Sequence, residues 1–343
     1  MRHIRITLVG FGVVGQGFAE LLVNKQAYLQ KQYNLSLTLV GVANARHGFI
    51  YREDGLHIPQ LLQLARQGQS LTEHPDIQHW DTALEGLRAT PANILVEASP
   101  TNLRDAEPAL SHTRTALAQG MHVVTANKGP GALAANELFA LAKKHGVQLR
   151  MESSVMAGTP VISAIREGMA GASITSIRGI LNGTTNYILS AMASGRAYAN
   201  VLADAQAKGY AETDPTADVE GYDAVAKTLI LAALVFNHPL RVEQVGRQGI
   251  TAITREQMQA AIDSGKRIKL IASLHQTAGS NALEASVKPL ALPLNDPLAR
   301  VDGAMNAISI QADTLSEVTI IGPGAGRIET AQGLLADVLA CVR

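Results

Sequence analysis

The spacing of apolar positions changes period repeatedly along the chain, and each change predicts an element. Residues 4–9 ("IRITLV") form an apolar run of strand length, and residues 16–25 after them carry helical spacing. Residues 37–43 ("LTLVGVA") predict a second strand. Residues 46–93 read as loop and helical pieces, among them "HIPQLLQLARQG", around one marginal strand. The runs at 93–98 ("NILVEA") and 122–125 ("HVVT") have the unbroken apolar character of buried strands; a helical stretch over 107–119 separates them and Gly120 suits its stop. Another helix is expected over 136–144. Strands alternating with helices in this way predict a parallel, doubly wound sheet.

The pattern then changes. "VQLRMESSVMAGTPVI" opens a region of small residues, with Pro160 suited to the first position of a helix. "NGTTN" (182–186) is a polar turn entering a helix, and its side chains suit either capping or hydrogen bonds to a ligand. After a helix over 255–265, segments 267–275, 283–290 and 305–312 alternate weakly, as strands do, with "ALPLNDPLARVDG" as loop. The last 26 or so residues repeat the opening order: "VTIIGPGAGRIETAQGLLADVLACV" runs from strand through Gly322, Gly324 and Gly326 into a helix, expected to pack back on the first domain. The fold class expected is α/β: one doubly wound domain over residues 1–130, completed by 318–343, and an α+β domain over 131–317.

Residues 209–236 differ from everything around them. Five acids (Glu212, Asp214, Asp218, Glu220, Asp223) fall within twelve residues and give way to a nearly unbroken apolar run, with Lys227 at the junction. From Val219 onward the spacing of Val225, Leu229, Ala232 and Phe236 predicts a helix, with Asp218 as its N-cap and Asp223 and Lys227 on one face. Beyond Lys227 the helix is apolar all round and should be buried. A lysine there is either one half of a structural Asp–Lys pair or a proton-transfer group flanked by acids that hold a charged substrate.

Composition narrows the classes. With 47% hydrophobic and 17% charged residues the chain is of globular type, and 29 Lys+Arg against 29 Asp+Glu offers no basic surface for nucleic acid or an anionic membrane. The longest apolar run, 228–236, is too short to span a bilayer, and Met1 leads into a strand rather than an export signal, so a cytoplasmic location is expected. One cysteine, Cys341, excludes an internal disulfide framework and a cysteine-based metal centre.

Between the first strand and helix lies "GFGVVG", Gly10 to Gly15. In that context the spacing signals a Rossmann dinucleotide site: Gly10 for the tight turn, Gly12 for approach of the pyrophosphate, Gly15 for close packing of helix on strand. At the end of the second strand, where an NAD site usually carries a carboxylate, stand Asn44 and then Arg46, which leans the reading towards NADP with NAD possible. "SPTN" (99–102) and "ANK" (126–128) close later strands, where ligands of such sheets bind, so Lys128 is expected near the nicotinamide.

Taken together these motifs resemble homoserine dehydrogenases. "AQAKGYAETDPTADVEGYDAVAK" is similar to the signature of that family, and "GFGVVG", "SPTN", "VVTANKGP", "ESSVMAGTPVI", "LNGTTNYIL" and "GPGAG" match in order over nearly the whole chain. The resemblance implies reversible NAD(P)-dependent interconversion of homoserine and aspartate 4-semialdehyde, on the route to threonine, methionine and isoleucine. It implies Lys227 as the proton-transfer group, with Lys128 as partner or rival. It assigns Glu212, Asp223, Asp218, Asn182 and Thr184 to the substrate, and Gly10, Phe11, Gly12, Val13, Val14, Gly15, Asn44, Arg46, Ser99, Pro100, Thr101, Lys128 and Gly324 to the cofactor. It also implies a sodium or potassium site at Glu152, Val155, Ala157 and Thr159, the last three through carbonyls, and a homodimer formed by the second domain. Chain length resembles the short form of the family, without an aspartate kinase or ACT domain.

Two other classes are open to the same motifs. A phosphorylating aldehyde dehydrogenase needs a cysteine nucleophile, and Cys341 near the end of a packing helix does not suit that role. A non-catalytic dinucleotide-sensing regulator would account for "GFGVVG" but not for Lys128 or the Asp223/Lys227 pair.

Overall fold

The computed structural model describes residues 1–277 and 282–343. They form two compact units, Met1–Gly158 with Gly326–Arg343, and Thr159–Ala325.

In the first unit β1 (Arg2–Val9), α1 (Val13–Tyr33) and β2 (Leu35–Asn44) make the opening βαβ unit, and β3 (Gly48–Tyr51), α2 (Ile58–Arg66), β4 (Gln78–Trp80) and α3 (Ala83–Ala89) follow. Next come β5 (Ile94–Glu97), α4 (Ala109–Ala118), β6 (His122–Thr125), α5 (Lys128–Lys144), β7 (Leu149–Arg150) and α6 (Ser153–Met156). The strand order is β4-β3-β2-β1-β5-β6-β7. β2, β1, β5, β6 and β7 run parallel, and β3 and β4 add an antiparallel edge of two strands where apolar spacing predicted one marginal strand. The parallel strands are buried on both faces over residues 6–9, 39–43, 94–97 and 123–125, which is why these stretches read as apolar runs. Leu8, Phe18, Val42, Leu61 and Val96 pack in one core with Leu334 and Val338 of the C-terminal helix.

That helix, Arg327–Cys341, returns to α1 as its apolar spacing suggested: a side chain on Gly17 would lie 2.7 Å from the Arg327 carbonyl oxygen, and Arg327 pairs with Glu20. The unit boundaries differ from 130 and 318. β7 pairs with β6 and so carries the first unit to Gly158, while the strand after 318 pairs along its length within the second sheet.

The second unit contains β8 (Ile174–Ile180), α7 (Gly183–Ala193), α8 (Tyr198–Ala207), α9 (Thr216–Val219), α10 (Tyr222–Val235), β9 (Val245–Arg247) and α11 (Arg255–Asp263), then β10 (Lys266–Gln276), β11 (Leu283–Pro293), β12 (Met305–Ala312) and β13 (Ser316–Pro323). Its sheet has the order β13-β12-β8-β10-β11-β9, antiparallel except between β11 and β9, an α+β arrangement. α10 is buried from Ala224 to Ala233, as its all-round apolar sequence requires. It starts later than expected. Gly221 has φ 82°, a left-handed turn that separates α9 from α10, so Asp218 lies inside α9 and is not the N-cap. Among the described residues no helix is long and apolar enough to cross a membrane.

Candidate active site

In the first unit the glycine turn is shaped by what its three glycines lack. Gly10 has φ 97°, and a Cβ there would sit 2.4 Å from the carbonyl carbon of Ala98. On Gly15 it would sit 2.0 Å from the carbonyl oxygen of Gly10; on Gly12 it would meet no heavy atom within 4 Å. Two glycines therefore serve packing, and the third leaves open space over the start of α1. That helix has no side-chain cap and no acid in its first turn, so its first N–H groups and its dipole can face an anion. Phe11 is buried, Val13 exposed and Val14 half-buried, so around this turn the backbone is the common feature offered to a ligand.

Asn44 ends β2 and folds the next loop: its Oδ1 accepts from the backbone N–H of Arg46 at 3.0 Å and of His47 at 2.7 Å. The Arg46 side chain is exposed beside that turn. Ser99, Pro100 and Thr101 follow β5. The Asn127 amide lies 3.0 Å from the Ser99 and Pro100 carbonyl oxygens and 3.2 Å from Ser99 Oγ, and the N–H of Lys128 donates to Thr101 Oγ1 at 3.3 Å. Lys128 is half-buried at the first turn of α5, which Asn127 caps by accepting from Gly129 N–H. Sequence reasoning missed Asn127 as the brace of this loop, although it adjoins Lys128 in "ANK".

Glu152 is 4% exposed, and its N–H donates to Asp337 Oδ2 on the C-terminal helix at 2.8 Å. Val155 is buried in α6, and Ala157, just after it, holds φ 51° and ψ −120°, a conformation that costs a non-glycine residue roughly 1–3 kcal/mol. Thr159 opens the second unit, where its hydroxyl donates to the Pro323 carbonyl at 2.9 Å. Among the described residues no three His, Cys, Asp or Glu side chains converge as a metal centre built from them would require.

The second unit gathers four of its candidates from the start of α7, from α9 and from the first turns of α10. Asn182 caps α7 by accepting the Thr185 N–H through Oδ1 at 2.9 Å, while its Nδ2 donates to Asp218 Oδ1 at 2.6 Å and Asp223 Oδ2 at 3.0 Å. Asp223, in the first turn of α10, pairs with Lys227 at 2.8 Å; Lys227 is 5% exposed and its Nζ also donates to the Leu181 carbonyl at 2.5 Å. Burial pushes the Asp218 carboxyl above its ordinary range, the Asn182 hydrogen bond opposes that, and the nearby Asp223 charge adds to it.

Glu212 and Thr184 stand differently. Glu212 is exposed on the loop before α9, a loop tied down by Gln206, whose amide donates to the carbonyls of Glu212 and Thr213 at 3.1 and 3.2 Å. The Thr184 hydroxyl donates to the Tyr210 carbonyl at 2.5 Å, so it also fixes that loop. Gly324, just after β13, packs against Asn306: a Cβ there would lie 2.0 Å from the Asn306 amide. That amide is fully buried with neither polar atom hydrogen-bonded to protein.

Residues 10–152 match the family model described as homoserine dehydrogenase, NAD binding domain, and residues 160–339 match the homoserine dehydrogenase model. The NAD(+)-dependent homoserine dehydrogenase of Pseudomonas canavaninivorans is 40% identical over 341 residues, covering 99% of this chain and 96% of that protein. The crystal structure of a homoserine dehydrogenase from Thiobacillus denitrificans superposes with a TM-score of 0.84 at 35% identity, over 100% of this chain and 74% of that one. A hyperthermophilic archaeal homoserine dehydrogenase in complex with NADPH gives a TM-score of 0.84 at 29% identity, over 99% and 98% of the two chains. The chain belongs to the homoserine dehydrogenase family.

Proposed function

We propose that the protein catalyses the reversible NAD(P)-dependent interconversion of L-homoserine and L-aspartate 4-semialdehyde, with Lys227 moving the proton. The observation that carries this is the buried Lys227 ammonium held between Asp223 and the Leu181 carbonyl. An ammonium has three N–H bonds. Those two contacts take two of them and leave one for the substrate oxygen. When bound, the dinucleotide exchanges a hydride with the carbon that carries that oxygen. In reduction Lys227 gives its proton to the forming alkoxide; in oxidation the neutral amine takes the hydroxyl proton. Asp218 and Asp223, spaced by the single Asn182 amide, offer carboxylate oxygens to the ammonium of an amino-acid substrate, and Glu212 can join them from its loop. Thr184 positions that loop.

For the cofactor, the open α1 N-terminus and the space over Gly12 support pyrophosphate binding there; the family resemblance assigns Ser99, Pro100, Thr101 and Lys128 to the nicotinamide side and adds Gly324. Arg46 is the candidate partner of a 2′-phosphate. Relatives bear names on both sides of that choice, one NAD(+)-dependent and one bound to NADPH. The cation reading comes from the family resemblance, which assigns oxygen donors alone, the Glu152 carboxylate and the carbonyls of Val155, Ala157 and Thr159, a set that suits a hard ion. A homodimer is the assembly expected of the family.

The test is a steady-state assay of homoserine oxidation with NAD and with NADP, each with and without added potassium or sodium. Turnover that responds to the cation supports both readings. Dinucleotide binding without turnover under any condition would overturn the enzyme reading in favour of a sensor. Arg46→Ser should raise KM for NADP by about tenfold and leave that for NAD near its original value, the loss expected for one charged hydrogen bond.

A further inference from the structure

Glu97 is the last residue of β5, at the carboxyl edge of the parallel sheet, and none of it reaches solvent. A carboxylate so placed must be paired or hydrogen-bonded on every side. Its Oε1 accepts the N–H of Ser99 at 2.8 Å. Its Oε2 faces Nδ1 of His112, on α4, at 2.9 Å, and since a carboxylate has no proton to give, the ring donates. His112 is 6% exposed, so the pair is sealed beneath the sheet edge.

The backbone of Glu97 is equally committed. Its carbonyl accepts from Ala126 N–H at 3.0 Å and from the Thr125 hydroxyl at 3.2 Å, and Ala98 N–H donates to the Val9 carbonyl at 2.7 Å. Three strand ends, β1, β5 and β6, thus meet at this residue. The turn it closes lies directly on the glycine motif, where an ideal Cβ on Gly10 would be 2.4 Å from Ala98 C and O and 2.5 Å from Ser99 N. On its other side the same loop is held by the Asn127 amide. A shift at Ser99 is therefore transmitted both to the pyrophosphate turn and to the Ser99–Thr101 loop.

We infer that Glu97, oriented by His112, is a positioning residue for the dinucleotide: its buried carboxylate sets the Ser99 turn in the register that lets the glycine motif and the Ser99–Thr101 loop bind one cofactor together. It touches no reacting atom in this role. A structural carboxylate would only support the fold, whereas a positioning one separates the two substrates kinetically. The inference rests on the dinucleotide reading of this edge, which titration of the wild-type enzyme with NADH and NADPH, followed by nucleotide fluorescence, tests separately. If wild type binds neither, that reading fails and this one with it; if wild type binds, the variants decide.

Glu97→Leu in the full-length enzyme should raise KM and Kd for the dinucleotide by tenfold or more and leave KM for homoserine within twofold. Glu97→Gln keeps an acceptor for Ser99 N–H and should recover to within threefold of wild type. His112→Phe, which removes the orienting donor, should give an intermediate rise of about threefold to fivefold. A folded Glu97→Leu with unchanged dinucleotide KM, or with both KM values raised alike, would overturn the inference. If Glu97→Leu does not fold, His112→Phe decides: an unchanged dinucleotide KM overturns the proposal, and a selective rise sustains it.

Discussion

In the proposed reaction, the glycine turn of the first unit and the acid–lysine cluster of the second receive their ligands by opposite means. At Gly10–Gly15 the site is made by leaving side chains out: an uncapped helix start, an open volume over Gly12, and two close approaches that only hydrogen atoms allow. At Asn182–Lys227 it is made by bringing side chains in from three elements, with one amide bridging two carboxylates and a carbonyl holding a lysine. A backbone site depends on local conformation and tolerates almost no added volume. A side-chain site depends on convergence, and its members can be removed singly, each with a distinct kinetic signature.

The sharpest break in that comparison is Lys227→Ala. Homoserine oxidation should fall by about 10²–10⁴ in kcat, the range for a lost general acid–base group, with dinucleotide Kd unchanged. Unchanged turnover would overturn Lys227 as the proton-transfer group. Next are the glycines, which should separate from one another. Gly15→Ala drives a methyl into the Gly10 carbonyl and should lower Tm, with overpacking costs of about 1–3 kcal/mol or more. Gly12→Ala meets nothing in the protein, so Tm should hold while dinucleotide KM rises by about tenfold; a Tm loss equal to that of Gly15→Ala would remove the distinction between packing and binding glycines.

Asp223→Asn should raise KM for homoserine by about 10- to 100-fold, the worth of a charged hydrogen bond, with dinucleotide KM intact. Equal effects on both substrates would argue for a structural pair. The smallest effect concerns pH. Because burial raises the Asp218 carboxyl, the folded chain holds that proton more tightly than the unfolded one. The group then costs stability progressively as pH rises from its ordinary value through its raised one, and the cost is complete above it. Asp218→Asn should therefore raise Tm slightly near neutral pH, with the difference vanishing in acid. In wild type, KM for homoserine should climb as pH falls through the raised value, and the variant should lack that inflection.

The legible parts of the site were those with local causes. "GFGVVG" between an apolar run and a helix is a complete statement, since turn, open space and close packing all lie within six residues. Asp223 and Lys227 share a helix face at four-residue spacing, and the structure pairs them. The start of that helix was not legible: Val219 continues the apolar period, but Gly221 takes a left-handed φ and restarts the helix at Tyr222, which leaves Asp218 inside α9, accepting from the Asn182 amide. β3 and β4 were obscure because strands of four and three residues carry too little period to stand out from loop.

Periodicity, glycine spacing and one acid-rich stretch were enough, within the chain of letters, to determine the α/β class, the strand–glycine turn–helix unit and the Asp–Lys pair. All three depend on residues a few positions apart, whose geometry the backbone dictates. Tertiary structure alone decided that Asn182 bridges Asp218 and Asp223 across 36 and 41 residues, that Asn127 braces the Ser99 loop, and that Glu97 and His112 form a sealed pair beneath it. Such contacts join elements far apart in sequence, and only the packing of strand ends and helix starts brings their polar groups within hydrogen-bonding distance.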